Sequence, residues 1–328
     1  MISRFLRFIG SSGLLGVAAL AFALCRVEAA PRELRVGYFP NITHAHGLIG
    51  SHGTQTGTGW FEERLGRDVV IRWFPFNAGP SAMEALLAGS IDLTYVGPNP
   101  ALNAYVRSRG SEIRVLAGAV EGGSALVVPA KSDLQQAADF RGRRLATPQL
   151  GNTQDVAARV WLRRAGLRVT LTGGDVAVIP TANPEQLTLF ASGQVAGVWT
   201  VEPWVSRLEL EAGGRVLVEQ SDAVTTLLVA RAALLTQDAA LVARFVAAHR
   251  DLTRWMRENP AAAQEKVRGA LTAEFRREIS AELVRRAWGR LRFTDEVPRS
   301  RLEALVADAQ SVGFLRGAVS LDQLFPRP

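Results

Sequence analysis

The stretch Arg143-Arg144-Leu145-Ala146-Thr147-Pro148-Gln149-Leu150-Gly151-Asn152-Thr153-Gln154-Asp155-Val156-Ala157-Ala158-Arg159-Val160-Trp161-Leu162 decides the fold. It predicts a short strand at Leu145-Ala146, a polar loop, and a helix over 153–165. Asn152 or Thr153 suits the helix cap, with Gln154 and Asp155 in the first turn. Strand, loop and helix in succession are the building unit of α/β proteins. The loop offers amide, hydroxyl and backbone N–H donors at a helix N-terminus, where the helix dipole favours negative charge. Gly151 permits close backbone approach, and Gln149, Asn152, Thr153 and Gln154 add donors. Capping and anion contact can coexist, because several N–H groups are free at a helix start. The loop holds no Lys, His, Cys or Ser, so it has no obvious nucleophile and reads as a place for capture.

The same grammar runs outward in both directions. Upstream, strands are expected at Leu34–Tyr38, Val69–Phe74, Ile91–Val96 and Ile113–Ala119. Between them, Ala45–Leu65 reads as a loop and helix weakened by Gly50, Gly53, Gly57 and Gly59. Pro80–Gly89 reads as a helix closed by glycine, and Gly97-Pro98-Asn99-Pro100 opens another. Glu121-Gly122-Gly123 breaks the pattern. A second run then brings strands at Ala125–Val128, Leu145-Ala146, Val176–Ile179 and Val195–Trp199. Its helices are expected near 133–138, 153–165, 184–191 and 203–212. Thr225–Ala230 is one more apolar strand. From Asp238 the chain is mostly helical, with Leu241, Phe245, Ala248, Leu252 and Trp255 at core-forming spacing. The halves share an architecture without a high-identity repeat. The expected fold is α/β with two lobes, residues 30–121 plus 225–328 in one and 122–224 in the other. Ligands of open α/β sheets sit at strand C-terminal ends, here in the cleft between lobes that can hinge around them.

The N-terminus speaks to compartment. Arg4 and Arg7 precede an uncharged run from Phe8 to Leu24, followed by the small-residue pattern Val27-Glu28-Ala29. This predicts a cleavable signal peptide over 1–29 and a periplasmic, secreted protein; a retained anchor is the alternative, for which the run is short. Cys25 is the sole cysteine and lies in the leader. Leu24 before it disfavours lipidation, and a mature chain without thiols excludes disulfides, Cys-type metal sites and thiolate catalysis. The net charge of +7 falls to +5 without Arg4, Arg7, Arg26 and Glu28. Acidic residues interleave with the arginines, and no basic run with stacking aromatics suggests nucleic acid.

Several segments together resemble periplasmic solute-binding proteins. They are Gly37-Tyr38-Phe39-Pro40-Asn41-Ile42-Thr43-His44-Ala45, Leu86-Leu87-Ala88-Gly89-Ser90-Ile91-Asp92-Leu93, Gly97-Pro98-Asn99-Pro100, Pro148–Asp155, and Val198-Trp199-Thr200-Val201-Glu202-Pro203-Trp204. The resemblance is to the aliphatic-sulfonate, taurine and nitrate binding group of ABC importers, in the NMT1/THI5-like superfamily, and runs from about Leu34 to Trp255. It implies a bilobed type II periplasmic-binding fold, a small anionic solute in the interlobe cleft, and delivery to an ABC permease with a cytoplasmic ATPase. The chain has no Walker motif, so that ATPase is a separate subunit. A monomer without cofactor and without catalytic activity is expected. An aliphatic sulfonate or sulfate ester is the leading ligand; nitrate, taurine, phosphonate and a thiamin-pyrimidine precursor are alternatives. Pyrimidine-forming enzymes share the fold by resemblance and use a Lys-bound cofactor. Here only Lys131 and Lys266 exist, neither in an expected cleft loop.

Candidate contacts follow from the loops after each strand. In the first lobe they are Phe39, for an alkyl tail, with Asn41, Thr43 and His44; Asn77 and Ser81; and Pro98 with Asn99. Turn and cap chemistry is the plain alternative for each. In the second lobe they are Gln149, Gly151, Asn152, Thr153 and Gln154, then Trp199 as a cleft wall or core residue. Glu202 would repel a sulfonate unless an arginine or a ligand amine pairs with it. His44, His46 and His52 invite a metal reading, but they miss the usual ligand spacings, and no metal is assigned.

Overall fold

The computed structural model describes residues 31–326. The expected signal peptide, with Cys25, lies outside the described residues. Leu34, Val36 and Tyr38 are buried in strand β1 (Arg32–Tyr38), which lies inside the first sheet. That sheet also holds β2 (Val69–Pro75), β3 (Leu93–Val96), β4 (Ile113–Gly122), β12 (Val224–Arg231) and β13 (Leu291–Phe293). Their spatial order is β13-β4-β12-β3-β1-β2. The second sheet holds β5 (Ser124–Pro129), β6 (Arg144–Thr147), β9 (Ala177–Pro180), β10 (Gly197–Val201) and β11 (Gly214–Gln220), in the order β11-β5-β10-β6-β9. A small ribbon joins β7 (Val169–Thr170) to β8 (Gly173–Gly174). The parallel pairs β2-β1-β3 and β9-β6-β10 bring the C-terminal ends of each set to one edge. The fold is two α/β lobes around a central cleft.

Helices cover both sheets. The glycines of 45–65 split that segment: a 3₁₀ turn over Ile42–His44, α1 (Ala45–Thr56), and α2 (Trp60–Leu65) after Gly57, which is left-handed at φ +71°. The remaining helices are α3 (Gly79–Leu87), α4 (Pro98–Arg107), α5 (Thr153–Arg164), α6 (Asn183–Ala191), α7 (Trp204–Ala212), α8 (Ala232–Gln237), α9 (Ala239–Glu258), α10 (Pro260–Phe275), α11 (Ala281–Trp288) and α12 (Arg299–Ser311). The helix expected near 133–138 is only a 3₁₀ turn over Ala137–Phe140, where a Gln136–Asp139 capping box holds a single turn. Strands β9 and β10 begin later than expected, so Val201, not Trp199, ends β10. Strands β7, β8, β11 and β13 are additions to the expected elements. Among the described residues no helix is long and apolar enough to cross a membrane.

The stripe on α9 behaves as core: Leu241, Phe245, Ala248 and Leu252 are buried, and Trp255 packs partly exposed beside Trp60. Each such buried large apolar side chain contributes about 1.5–3 kcal/mol. The chain passes between sheets at Gly122-Gly123 and returns through 221–224. Gly122 has φ +75°, and a Cβ there would lie 2.4 Å from the Arg290 carbonyl oxygen. The two crossings are tied together, Gly122 N–H donating to the Ala223 carbonyl at 2.9 Å. They are adjacent, as a hinge requires.

Candidate functional site

The loops at the strand ends enclose a small cavity between the lobes. From the first lobe, Phe39, Asn41, Thr43 and His44 follow β1; Asn77, Ala78 and Gly79 follow β2; Gly97 and Pro100 follow β3; Thr225 lies at the start of β12. From the second, Pro148, Asn152, Thr153 and Gln154 follow β6, Asn183 follows β9, and Val201 ends β10. The cavity offers about 30 Å³ to the centres of water-sized molecules, roughly two to three times the ~10–15 Å³ that one water needs. None of these lining residues is Lys, Arg, Asp or Glu.

Four helices begin at this cavity: α3 at Gly79, α4 behind Gly97, α5 at Thr153 and α6 at Asn183. Their first-turn N–H groups have no intrahelical acceptor, and their dipoles add positive potential. No side chain caps α3, α4 or α6. At α5, Asn152 Oδ1 accepts from Asp155 N–H at 2.8 Å, so Asn152 is both cap and lining residue. Two glycines allow the close approach. A Cβ on Gly79 would sit 2.3 Å from Pro100 Cγ, and one on Gly97 would sit 2.4 Å from Thr153 Oγ1 across the cleft.

Three buried polar atoms of this lining have no protein partner: Thr43 Oγ1, His44 Nδ1 and Thr153 Oγ1. An unsatisfied buried donor or acceptor costs about 1–3 kcal/mol, and its recurrence within one cavity points to a polar ligand. His44 stacks on Phe39 with ring centroids 4.1 Å apart. Burial pushes its imidazole down to about 3, so at neutral pH it is an uncharged donor and acceptor. Asn41 is committed through Oδ1, which accepts from Trp204 Nε1 at 2.9 Å; that bond also links the lobes.

The loop after β6 is held from behind. Asp155, fully buried, accepts from Thr147 Oγ1 at 3.0 Å, from Gly151 N–H at 2.9 Å and from Arg159 at 3.1 Å. Arg159 is itself 2% exposed and donates onward to the Thr170 carbonyl at 2.7 Å. The donors at Asn152–Gln154 are thereby preorganised.

Of the expected contacts, Phe39, Asn41, Thr43, His44, Asn77, Asn152, Thr153 and Gln154 line the cavity. Seven fall outside it. Ser81 donates to the Ala78 carbonyl at 2.9 Å, a local helix-start bond. Pro98 and Asn99 are buried on α4, and Asn99 faces a second cavity. Gln149 is half-buried outside the lining, and Gly151 lines an outer pocket beside Phe314. Trp199 is 2% exposed; it donates to Gln220 Oε1 at 3.1 Å and packs on Trp161 in the second lobe's core. Glu202 is fully buried and accepts from Ser206 N–H at 3.1 Å, Ser206 Oγ at 2.9 Å and Arg290 at 3.0 Å. Burial pushes its carboxyl upward, opposed by Ser206 and Arg290.

The sequence reading missed Ala78, Gly79, Gly97, Pro100, Pro148, Asn183, Val201 and Thr225. Asn183 was findable, because Ile179-Pro180-Thr181-Ala182-Asn183-Pro184 repeats the strand, loop and helix grammar of Gln149–Gln154. Thr225 gives no such signal; only the crossing of the chain brings it to the cleft. The other histidines separate from His44. His46 stacks on His249 at 4.4 Å between centroids and bonds Thr253 Oγ1 at 2.8 Å. Among the described residues no cluster of three or more His, Cys, Asp or Glu is placed to hold a metal.

Comparison with known proteins adds the context. The profile of the NMT1-like family matches residues 28–270. A provisionally named aliphatic sulfonates-binding protein of Escherichia coli (strain K12) is 27% identical over 220 residues, 64% of this chain; the match spans 61% of that relative's length. The alkanesulfonate-binding protein of Xanthomonas axonopodis pv. citri, solved bound to MOPS, superposes with a TM-score of 0.69 at 22% identity, covering 86% of this chain and 93% of that one. The periplasmic nitrate-binding protein of Synechocystis PCC 6803 superposes at 0.70 with 14% identity, covering 88% and 83%. The two structural likenesses establish the bilobed fold.

Proposed function

The chain belongs to the NMT1-like family, and on that premise we propose that it is the periplasmic solute-binding component of an ABC importer. It captures a small oxyanion, a short aliphatic sulfonate or sulfate ester, and hands it to a membrane permease driven by a separate ATPase. The observation that carries this reading is the set of orphaned donors, Thr43, His44 and Thr153, in a cavity faced by four helix N-termini. An oxyanion supplies acceptors for hydroxyl, imidazole and backbone N–H at once, and gains from the helix dipoles. The relatives named for sulfonate binding favour that head group. The small cavity favours a compact anion, which keeps nitrate as the second reading.

An amine-bearing ligand is disfavoured. Glu202, the carboxylate that would receive an amine, is already bonded to Ser206 and Arg290, and Trp199 and Trp204 are buried in other contacts. Capture without chemistry fits a lining with no lysine and no cysteine.

The test is a thermal-shift and calorimetry series with methanesulfonate, ethanesulfonate, taurine, methyl sulfate, nitrate and phosphonate. A specific ligand stabilises the protein in proportion to the logarithm of its concentration above Kd. Saturable binding of methanesulfonate or methyl sulfate, lost on Thr43→Val, supports the reading. Tightest binding by nitrate selects the second reading. Binding of none of these anions sinks both.

A further inference from the structure

We propose that a second cavity, which shares only Thr153 with the cleft, is a ligand site that recognises a carboxamide-like edge through Asn99. The cavity lies between α4 of the first lobe, α5 and the strands β10 and β11 of the second, and the C-terminal helix α12. It offers about 210 Å³ to water-sized centres, far more than the ~10–15 Å³ that one water occupies. Its walls are mainly apolar, with Val156, Val160 and Trp161 from one face of α5, Trp199 from β10, Val218 from β11 and Leu305 from α12. Trp161 and Trp199 meet edge to face at 5.8 Å between centroids. The partly buried Trp161, backed by Trp199, gives an aromatic wall suited to a planar or aliphatic body.

Into this space faces Asn99, 4% exposed, with both Oδ1 and Nδ2 buried and without a protein partner. Leaving both ends of a buried amide unsatisfied costs about 1–3 kcal/mol for each group, and native interiors seldom tolerate it. Apart from Thr153 Oγ1, already counted among the orphaned atoms of the cleft lining, the wall's other polar side chains Gln220, Arg164 and Asp308 have partners. Gln220 Oε1 accepts from Trp199 Nε1 at 3.1 Å and from Ser124 Oγ at 2.8 Å, and Arg164 pairs with Asp308 at 2.6 Å. A complement to Asn99 carries one acceptor and one donor side by side, as a carboxamide or lactam edge does, on an apolar body. It is uncharged, since the one charged pair on the wall is already matched. Thr153 lines both cavities, and no other residue is shared between their linings. The inference therefore stands apart from the identity of the anion in the cleft.

The experiment measures binding of acetamide, 2-pyrrolidinone and benzamide to the whole protein by tryptophan fluorescence and thermal shift. Toluene serves as the apolar control and methanesulfonate as the cleft probe. At least one amide should bind saturably, ten times or more tighter than toluene. Asn99→Leu should weaken that amide tenfold or more in a protein that still melts cooperatively. Ala157→Phe places a ring into the cavity from α5, outside the cleft; it should abolish amide binding and leave methanesulfonate affinity within twofold. The proposal is overturned if no amide binds the folded protein, if toluene binds as tightly as the best amide, or if methanesulfonate displaces the amide competitively. Amide binding without any anion binding would remove the importer reading and leave this site intact.

Discussion

Gly97→Ala probes the close approach of the two lobes across the cleft. Gly97 precedes α4 with φ −66° and ψ 152°, a conformation any residue before proline adopts, so alanine brings no backbone strain. Its methyl, however, would lie 2.4 Å from Thr153 Oγ1 on the opposite lobe, against 3.4 Å for an ordinary contact. The lobes must separate locally by about 1.0 Å, or Thr153 must turn. Turning is restricted, because Thr153 is β-branched at the start of α5 and fills two of its three staggered positions. Overpacking of this size costs about 1–3 kcal/mol, here charged to the closed arrangement, which corresponds to a loss of roughly 5- to 150-fold in affinity. Calorimetry with the best anion reads the loss, and the melting temperature without ligand checks the fold. In a Thr153→Ala background the clash disappears, since the remaining Cβ contact is 3.5 Å. There Gly97→Ala should cost less than twofold, a coupling visible in a double-mutant cycle. Unchanged affinity in the single variant, or an equal loss in both backgrounds, refutes the closure argument.

Other outcomes follow from the same geometry. Asn152→Ala with Thr153→Ala should weaken anion binding well over tenfold, more than about 1.4 kcal/mol. It should also lower stability by about 1 kcal/mol through the lost cap of α5; urea titration and calorimetry separate the two effects. Arg290 bridges Glu202 at 3.0 Å and Glu209 at 2.9 Å, so Arg290→Ala strands the buried Glu202 charge and should cost about 3–5 kcal/mol. Adding Glu202→Gln should recover a large part of that cost in the urea midpoint, and no recovery would mean the arginine acts through packing alone. Burial lowers His249 to about 4, below its ordinary 6.5. The unfolded chain therefore binds the extra proton between these values, and stability falls as pH drops below 6.5 until the folded group titrates. His249→Gln should remove one proton's share of that slope, about 1.4 kcal/mol per pH unit, measured by urea unfolding at pH 7, 6 and 5.

What was legible in the sequence is the local grammar, and what was not is depth. Asn152–Gln154 and Phe39–His44 sit directly after strands, and a strand's C-terminal end is a fixed place in a parallel sheet. By that rule residues of both loops are expected at the cavity they line. It failed at Trp199 because β10 continues to Val201; two residues along a strand are about 6.6 Å, enough to move a side chain from the rim into the core. It failed at Glu202 because its partner, Arg290, lies 88 positions away and nothing local announces the pairing. Thr225 entered the cleft by the same long-range route, through the return crossing beside Gly122. Gly79 and Gly97 were visible as turn residues, but their use, close approach to Pro100 and to Thr153, is a tertiary fact.

The absence of charge from the lining of the cleft has a physical consequence for the proposed cycle. A buried arginine would bind an oxyanion strongly, but it must be stripped of its water each time the cleft closes, at a cost of several kcal/mol. Helix N-termini and neutral hydroxyl, amide and imidazole groups attract the same anion with fixed partial charges. When the lobes part, water satisfies those groups at little cost, so an open, empty cleft is not penalised. One cluster of charged side chains lies instead where the lobes meet: Arg290 with Glu202, Glu209 and Glu219, and Arg286 with Glu209 at 3.0 Å. Gly97→Ala, at the cleft, should therefore show chiefly in anion affinity, and Arg290→Ala, at the junction of the lobes, chiefly in stability.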